Sequence, residues 1–298
     1  MRFGDAAVYV DGKPRGVLRY FELPPTLHVR PLKLQDGREV ARYRIAEYVQ
    51  SVGVDLSKVR AIHLSGGRGR VSILPGDELR KYEDSLLFSF TRGDSGKARV
   101  EWPDAPIKVN TTIDTMVFVS VYVDREPPAF DSKTRSFLDE SGARIEGVPY
   151  AKPEESLRGT RVYSDGKLAG SVKRKRLPDS VLSKSYTVKN PRFSLDAYLG
   201  SIGVDTAKIR TLAVARGDFM VARLDAQTWK NQREKAEFSL APGSEGRIIV
   251  PFPLENGGET AFPASAILAY AGAAPKRVAD APIAEAVPGS EENQAIPE

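Results

Sequence analysis

Apolar residues recur with the period of an α-helix at two places along the 298-residue chain. Each place has four apolar side chains at positions i, i+3, i+4 and i+7, which together cover one face of a helix. These side chains are Ile45, Tyr48, Val49 and Val52 in the first place and Leu195, Tyr198, Leu199 and Ile202 in the second. We therefore predict two short helices that each bury one face, with Ser194 as a favourable N-cap of the second.

Runs with strand character follow each predicted helix in the same order. The first half reads VRAIHL, a glycine-rich turn, VSIL, a polar helical turn and a hairpin. The second half reads IRTLAVA, a turn, FMVARL and then the same succession. Each half closes with an apolar strand that ends near Val121–Val123 or Ile267–Tyr270. This order predicts a β-rich α+β fold with one principal short helix in each half.

Two sequence blocks occur twice. VYVDGKPRG at 8–16 shares six of nine residues with VYSDGKLAG at 162–170, and both contain the Asp-Gly pair of a tight hairpin turn. The block at 48–60 shares seven of thirteen residues with the block at 198–210. Two matching blocks in the same order predict an internal duplication, and their wide separation indicates two homologous domains in tandem, not a solenoid.

The predicted domains cover residues 1–128 and 162–275. The segment 129–161 between them is rich in Pro, Gly, Ser and charged residues, which predicts a linker that contains one short helix. Residues 276–298 lack aromatic residues and apolar periodicity, which predicts a disordered tail.

The stretch YVQSVGVDLSKVRAIHLSGGRGRVSILPGDEL places a short helix before Gly-Val-Asp, then a strand, a glycine-rich turn, a second strand and a helical turn that carries a leucine. This order resembles the molybdopterin-binding fold of sulfite-oxidase-type oxidoreductases. In that family a cysteine upstream of the helix ligates molybdenum, and this chain contains no cysteine. The resemblance therefore implies two degenerate domains that keep the scaffold and lack the metal ligand. A β-grasp-like ligand-binding domain would show a similar periodicity and is the alternative fold.

Composition excludes several chemistries. Without cysteine the chain can form no disulfide, zinc–thiolate site, iron–sulfur cluster or cysteine nucleophile. The net charge of +5 is small for 298 residues, and no apolar run approaches the roughly 18 residues of a membrane span. The opening MRFGDAAVYV has no apolar signal-peptide core, which predicts a soluble protein. The compartment stays open, and the cell envelope fits if a leader has been removed.

Signatures of metal binding or catalysis are sparse. His28 and His63 are the two histidines, and neither has Asp or Glu at ligand spacing, so we predict no metal site. The GGRGR turn could hold an anion through backbone amides and guanidinium groups, although a plain hairpin turn has the same composition. Its candidate cofactor-binding residues are Gly66, Gly67, Arg68 and Arg70.

Two further features have competing structural explanations. Arg-Gly-Asp occurs at 92–94 and at 216–218, in predicted hairpin turns where Gly and Asp are favoured for turn geometry alone. The polar helical turns carry acidic side chains that could serve an enzyme of unrecognised class. Those acidic residues are Asp77, Glu78 and Asp225.

The densest charge in the chain is the run KRKR, whose counterpart in the first half is the far less basic RYFE. Four consecutive cations on a strand would point to both faces, which predicts an exposed edge. Such an edge either prevents edge-to-edge association or docks an acidic partner, a membrane surface or nucleic acid. The candidate partner-binding residues are Lys173, Arg174, Lys175 and Arg176. Nucleic acid is disfavoured because no aromatic residue interleaves the run.

The favoured interpretation is a non-catalytic binding or assembly module, built from two degenerate oxidoreductase-like domains, that needs no cofactor and binds another protein. The alternative is an oxidoreductase or cofactor-binding protein of the molybdopterin type. The two interpretations differ in whether the purified protein carries a stoichiometric metal.

Overall fold

The computed structural model describes residues 6–92, 95–101, 113, 115–152, 155, 157–217, 219–253 and 259–281. The chain divides into two compact units, residues 1–157 and residues 158–298. We call them the first unit and the second unit.

The first unit contains a five-stranded mixed sheet, a four-stranded antiparallel sheet and a two-stranded hairpin. The strands are β1 (Ala6–Val10), β2 (Lys13–Leu18), β3 (Arg30–Lys33), β4 (Glu39–Arg44), β5 (Ala61–Gly66), β6 (Val71–Pro75), β7 (Leu87–Arg92), β8 (Ser95–Glu101), β9 (Met116–Tyr122), β10 (Ala129–Asp131) and β11 (Ser136–Leu138). The five-stranded sheet has the order β2-β1-β9-β5-β6, and the four-stranded sheet has the order β3-β4-β7-β8. Strands β10 and β11 pair with each other.

The second unit contains a five-stranded and a four-stranded sheet. Its strands are β12 (Arg161–Ser164), β13 (Lys167–Ser171), β14 (Phe193–Ser194), β15 (Thr211–Arg216), β16 (Phe219–Asp225), β17 (Glu237–Leu240), β18 (Ile248–Pro253), β19 (Glu259–Ala264) and β20 (Ala266–Tyr270). The sheet orders are β13-β12-β20-β15-β16 and β14-β17-β18-β19.

The helices are short. They are α1 (Ile45–Ser51) and α2 (Gly76–Lys81) in the first unit, and α3 (Leu195–Ser201), α4 (Ala226–Gln232) and α5 (Lys276–Ala279) in the second. Helices α1 and α3 are the two predicted from apolar periodicity, and the predicted cap is confirmed, since Ser194 Oγ accepts the backbone N–H of Ala197 at 3.2 Å. Helix α4 is as long as α3. None of the described helices is long and apolar enough to cross a membrane.

The two five-stranded sheets have equivalent connections. In each, the first strand forms a hairpin with the second and lies parallel to the last strand, which in turn pairs antiparallel with the strand after the helix. The β1–β2 register shifts between Val8 and Tyr9, and the β12–β13 register shifts at the equivalent pair Val162 and Tyr163. The predicted β-rich α+β class is confirmed. The duplication itself stays a prediction, with which these matching connections agree.

The repeated Asp-Gly turn joins the first two strands of each five-stranded sheet and also binds the chain that follows the closing strand. Asp11 and Gly12 have φ of 49° and 81°, and Asp165 and Gly166 have φ of 47° and 80°, the left-handed pair of a tight hairpin. The Asp11 carboxylate accepts the backbone N–H groups of residues 123, 124 and 125. The Asp165 carboxylate accepts those of residues 271 and 272. The aspartate therefore caps the chain where it leaves the closing strand, in addition to making the turn.

The inner face of each five-stranded sheet packs on the helices. Tyr48 and Val49 of α1 belong to one buried cluster with Val8 and Ile62 of the sheet. In the second unit, Tyr198 and Leu199 of α3 belong to one buried cluster with Val162 and Leu212 of the sheet. Burial of these apolar side chains is the main source of stability in each unit.

The segment after the first closing strand packs on the first unit, unlike the predicted linker. Strands β10 and β11 form a hairpin in place of the expected short helix, and Phe137 at its centre is buried. Gly12 also lies against this segment, because a Cβ on Gly12 would overlap the backbone carbonyl of Tyr150. Residues 129–150 thus contribute to the core of the first unit, and the division between the units falls at 157/158.

The start of the predicted disordered tail is also folded. Residues 276–279 form α5, Val278 is fully buried, and Arg223 Nε donates to the Ala281 carbonyl at 2.9 Å. A single apolar residue anchors this helix, which is why apolar periodicity did not indicate it. Residues 282–298 lie outside the described part of the chain.

Candidate functional site

The positive charge of the protein is concentrated in residues 173–192, which we call the basic segment. It contains seven cations and one acidic residue, Asp179, so its net charge is +6. The cations are Lys173, Arg174, Lys175, Arg176, Lys184, Lys189 and Arg192. Because the whole chain has a net charge of +5, all residues outside this segment together have a net charge of −1.

The start of the basic segment is a turn, which corrects the predicted edge strand. Strand β13 ends at Ser171, Val172 is fully buried, and residues 174–176 form a 3-10 turn. A second 3-10 turn, Asp179–Val181, follows and buries Val181 completely. The two buried valines attach the segment to the core and leave the polar residues between them at the surface.

Arg174 and Lys173 hold this turn in place. Arg174 Nε donates to the Ser244 carbonyl and Nη2 to the Ala241 carbonyl, both at 3.1 Å, and Lys173 Nζ donates to the Arg158 carbonyl at 2.9 Å. Partial burial lowers the pKa of the Lys173 ammonium group. Of the four predicted partner-binding residues, Lys173 and Arg174 therefore have a structural role. Arg174, Lys175 and Arg176 are exposed, but only the last two make no side-chain hydrogen bond to this turn's neighbours among the described residues.

The second half of the segment combines cations with apolar surface. Residue 182 pairs with residue 193 beside β14, and a turn between residues 187 and 190 follows. Among the described residues, five large hydrophobic side chains are exposed, and three of them lie here: Leu182, Tyr186 and Val188, the last 89% exposed. Lys184 and Lys189 are exposed in the same stretch.

In the region before α1 of the first unit, residues 27–44, three of the five cations pair with carboxylates. Arg30 and Arg44 pair with Asp84 at 3.4 Å and 2.7 Å, and Arg38 pairs with Asp36 at 2.7 Å. Near the basic segment, the Glu237 carboxylate accepts hydrogen bonds from the Ser183 and Ser185 hydroxyls, and Glu245 pairs with Arg158 outside the segment.

Four exposed cations of the basic segment have no partner of opposite charge in the described structure. Within the described ranges, no carboxylate lies within 4.0 Å of Lys175, Arg176, Lys184 or Lys189. An unpaired surface cation is fully hydrated and ready to pair with an external carboxylate. The basic segment is therefore our candidate functional site.

His63 is part of the core of the first unit. It is 1% exposed, with its ring stacked on Phe137 at a centroid distance of 5.2 Å and its Nδ1 3.2 Å from the Tyr122 hydroxyl. Burial lowers the pKa of His63 to about 4. The described residues contain no group of three or more potential metal ligands. His28, by contrast, is exposed and hydrogen-bonds Glu47.

The GGRGR turn uses its amides internally. The N–H groups of Gly66, Gly67 and Arg70 donate to the carbonyls of residues 70, 115 and 67, so these three amides do not point at an anion. Gly69 has φ of 69°, and a Cβ there would lie 2.9 Å from Cβ of Arg135. The Arg68 side chain lies outside the described structure. The turn thus has the features of a hairpin connection that is packed against the segment after β9.

The remaining candidates do not come together in one site. Asp77 and Glu78 are in the first turn of α2, whereas Asp225 is the N-cap of α4 in the second unit. The Asp225 carboxylate accepts the backbone N–H of Thr228, and this hydrogen bond lowers its pKa. Of the two Arg-Gly-Asp tripeptides, residues 93, 94 and 218 lie outside the described residues.

The sequence interpretation did not include Lys184, Lys189 or the exposed apolar residues near them. A search for consecutive cations finds only residues 173–176. Summing charge over a window of twenty residues finds the whole segment, and this signal was present in the sequence.

Comparison with known proteins adds no family to these observations. No protein-family model, no curated protein and no solved structure matches the chain. The order of helix, strand, glycine-rich turn, strand and helical turn is present in the structure as predicted. The resemblance of this order to the molybdopterin-binding fold stays a prediction.

Proposed function

We propose that the protein is a non-catalytic binding module whose second unit docks an acidic protein partner through the basic segment. The observation that carries the proposal is a group of four exposed cations, Lys175, Arg176, Lys184 and Lys189, which have no carboxylate partner in the part of the chain that the structure describes and lie beside exposed Tyr186 and Val188. Oppositely charged surfaces steer association and fix orientation, and apolar anchors between the charges supply desolvation energy.

The surroundings of the charges favour a polypeptide over a nucleic acid. Tyr186 is the only aromatic residue among the exposed residues of the segment, and its ring packs edge-on against Phe193 at 6.3 Å. Single-stranded nucleic acids bind proteins through several stacking aromatic side chains along a basic groove. One tyrosine that already contacts the protein does not provide such a platform, whereas an acidic peptide needs only carboxylates and a few apolar residues.

The test replaces the four unpaired cations and leaves the two structural ones. We expect the variant Lys175→Ser, Arg176→Ser, Lys184→Gln and Lys189→Gln to bind poly-L-glutamate about tenfold to thirtyfold more weakly. Four exposed ion pairs at about 0.3–0.5 kcal/mol each give roughly that factor. Binding of the unchanged protein should weaken steeply as the salt concentration rises from about 50 to about 200 mM, a range that brackets physiological ionic strength, because salt screens exposed ion pairs.

A matched control removes the same number of charges from the first unit. Lys13, Lys33, Lys58 and Lys133 are all exposed, and their replacement by Gln changes the net charge equally. If this control loses as much affinity as the first variant, binding depends on net charge alone and the proposal is wrong. Tighter binding to vesicles of phosphatidylserine and phosphatidylcholine, or to a single-stranded oligonucleotide, would also contradict an acidic protein partner.

A further inference from the structure

Residues 282–298 are the chemical complement of the basic segment. Residues 282–298 contain four glutamates and no Lys or Arg. The glutamates are Glu285, Glu291, Glu292 and Glu298. Apolar residues stand between them at Ile283, Val287 and Ile296. We call residues 282–298 the acidic tail. It has the two properties that the basic segment requires of a partner, negative charge and interspersed apolar side chains.

The described part of the second unit ends at a point that is fixed by specific contacts. Helix α5 is anchored by fully buried Val278, and the carbonyl of Ala281 accepts a hydrogen bond from Arg223 on β16. Strand β16 forms one edge of the five-stranded sheet, and β13, which leads into the basic segment, forms the other edge. Both ends of any contact between tail and segment thus belong to one unit.

The length of the acidic tail is sufficient to reach the basic segment. Neighbouring strands are about 4.8 Å apart, so the four spacings from β16 to β13 amount to about 19 Å. Seventeen residues can span at most about 56 Å at about 3.3 Å each. The tail can therefore cross the sheet and still lay more than half of its length along the basic segment.

We propose that the acidic tail is an intramolecular ligand of the basic segment, which an external acidic partner must displace. Glutamates of the tail pair with Lys175, Arg176, Lys184 and Lys189, and tail isoleucine or valine covers the exposed apolar side chains. A short tether gives the tail an effective concentration in the millimolar range, so individually weak ion pairs suffice to occupy the site. The competition with a partner rests on the proposed function, whereas docking of the tail does not.

The experiment uses the full chain and replaces the four glutamates of the tail with Gln. We expect the backbone amide signals of residues 175, 176, 184 and 189 in ¹⁵N-correlated spectra to differ between the unchanged protein and this variant. The difference should disappear at about 1 M salt, where the Debye length is about 3 Å. A chain that ends at Ala281 keeps every residue of α5 and should give the spectrum of the Gln variant.

Binding of poly-L-glutamate then tests the competition. Removal of the tail charges should strengthen this binding about threefold to tenfold, as expected for a competitor at millimolar effective concentration. The gain should vanish when the four cations of the basic segment are replaced as well.

The two proposals fail in distinguishable ways. Identical amide signals in the unchanged protein and the Gln variant, or changes confined to residues outside the basic segment, would overturn docking of the tail even if poly-L-glutamate binds. Failure of poly-L-glutamate to bind the chain that ends at Ala281 would overturn the proposed function, and the amide signals would still decide whether the tail docks.

Discussion

Acidification should destabilise the first unit through His63. This side chain is 1% exposed and lies between Phe137 and Tyr122, at ring-centroid distances of 5.2 Å and 4.7 Å. Burial lowers the pKa of His63 from 6.5 to about 4. Between these values the unfolded chain binds a proton that the folded chain does not, so the free energy of unfolding increases with pH. The stability that depends on neutral His63 is fully present above pH 6.5 and is lost as pH falls through 4.

The size of this effect follows from the difference between the two pKa values. One pKa unit corresponds to about 1.36 kcal/mol, so the free energy of unfolding should fall by about 3 kcal/mol between neutral pH and pH 4 on account of His63 alone. Its nearest polar neighbour cannot offset the charge, because burial raises the pKa of the Tyr122 hydroxyl and keeps it neutral. A loss of this size is a large part of the stability of a small domain.

His63→Phe should remove this dependence while keeping an aromatic ring against Phe137. Hydrogen exchange read by mass spectrometry at several pH values between 4 and 7 follows each unit through its own peptides, after correction for intrinsic exchange. As pH is lowered from 7 to 4, the free energy of opening of β5, β9 and β11 should decrease in the unchanged protein. In the variant this decrease should be smaller by about 3 kcal/mol.

His28→Gln is the matched control, because it removes the other histidine, whose side chain is 81% exposed. It should leave the pH dependence of β5, β9 and β11 close to that of the unchanged protein. Equal pH dependence in the unchanged protein and His63→Phe would show that protonation of this side chain does not determine the acid stability of the unit.

Three further substitutions test how local contacts stabilise the units. Gly12→Ala should lower the free energy of unfolding more than Gly37→Ala, by urea denaturation, since both have φ above +80° but only the first would place a Cβ against Tyr150. Equal losses would mean that the segment around Tyr150 shifts to make room for the added Cβ without a loss of stability. Ser194→Ala should cost about 1 kcal/mol through the lost N-cap of α3, and unchanged exchange of its first turn would contradict this. Asp165→Ala should cost about 1–3 kcal/mol, because it leaves backbone N–H groups without an acceptor; a loss below the error of denaturation would show that water replaces the carboxylate.

Features that depend on neighbouring residues were predictable from the sequence. Helices α1 and α3 follow from apolar spacing, and the cap at Ser194 follows from its position before the first apolar residue. The Asp-Gly hairpins likewise follow from the preference of these residues for left-handed conformations. Each of these signals lies within about ten residues, where sequence spacing and spatial distance are still closely related.

Features that depend on distant residues were not predictable in this way. The Asp11 carboxylate binds amides more than 110 residues further along the chain, and Arg174 binds carbonyls about 70 residues away, which converts an expected strand edge into a turn. The polar segment after β9 folds on the first unit through Phe137, whose partner His63 looked isolated in the sequence. A single long-range contact leaves no periodicity that a local pattern could reveal.

The candidate site lies where the two units differ in structure and charge. Their five-stranded sheets, capped turns and helices α1 and α3 are equivalent, so these features are explained by the requirements of the fold. The regions before the helices differ: residues 27–44 form the hairpin β3–β4, and three of their five cations pair with carboxylates, whereas the basic segment keeps exposed cations without carboxylate partners among the described residues. Unpaired like charges repel one another and contribute nothing to folding. Charges that are unfavourable to the isolated unit, in a region that differs between two otherwise equivalent scaffolds, support our proposal that the basic segment binds an acidic ligand.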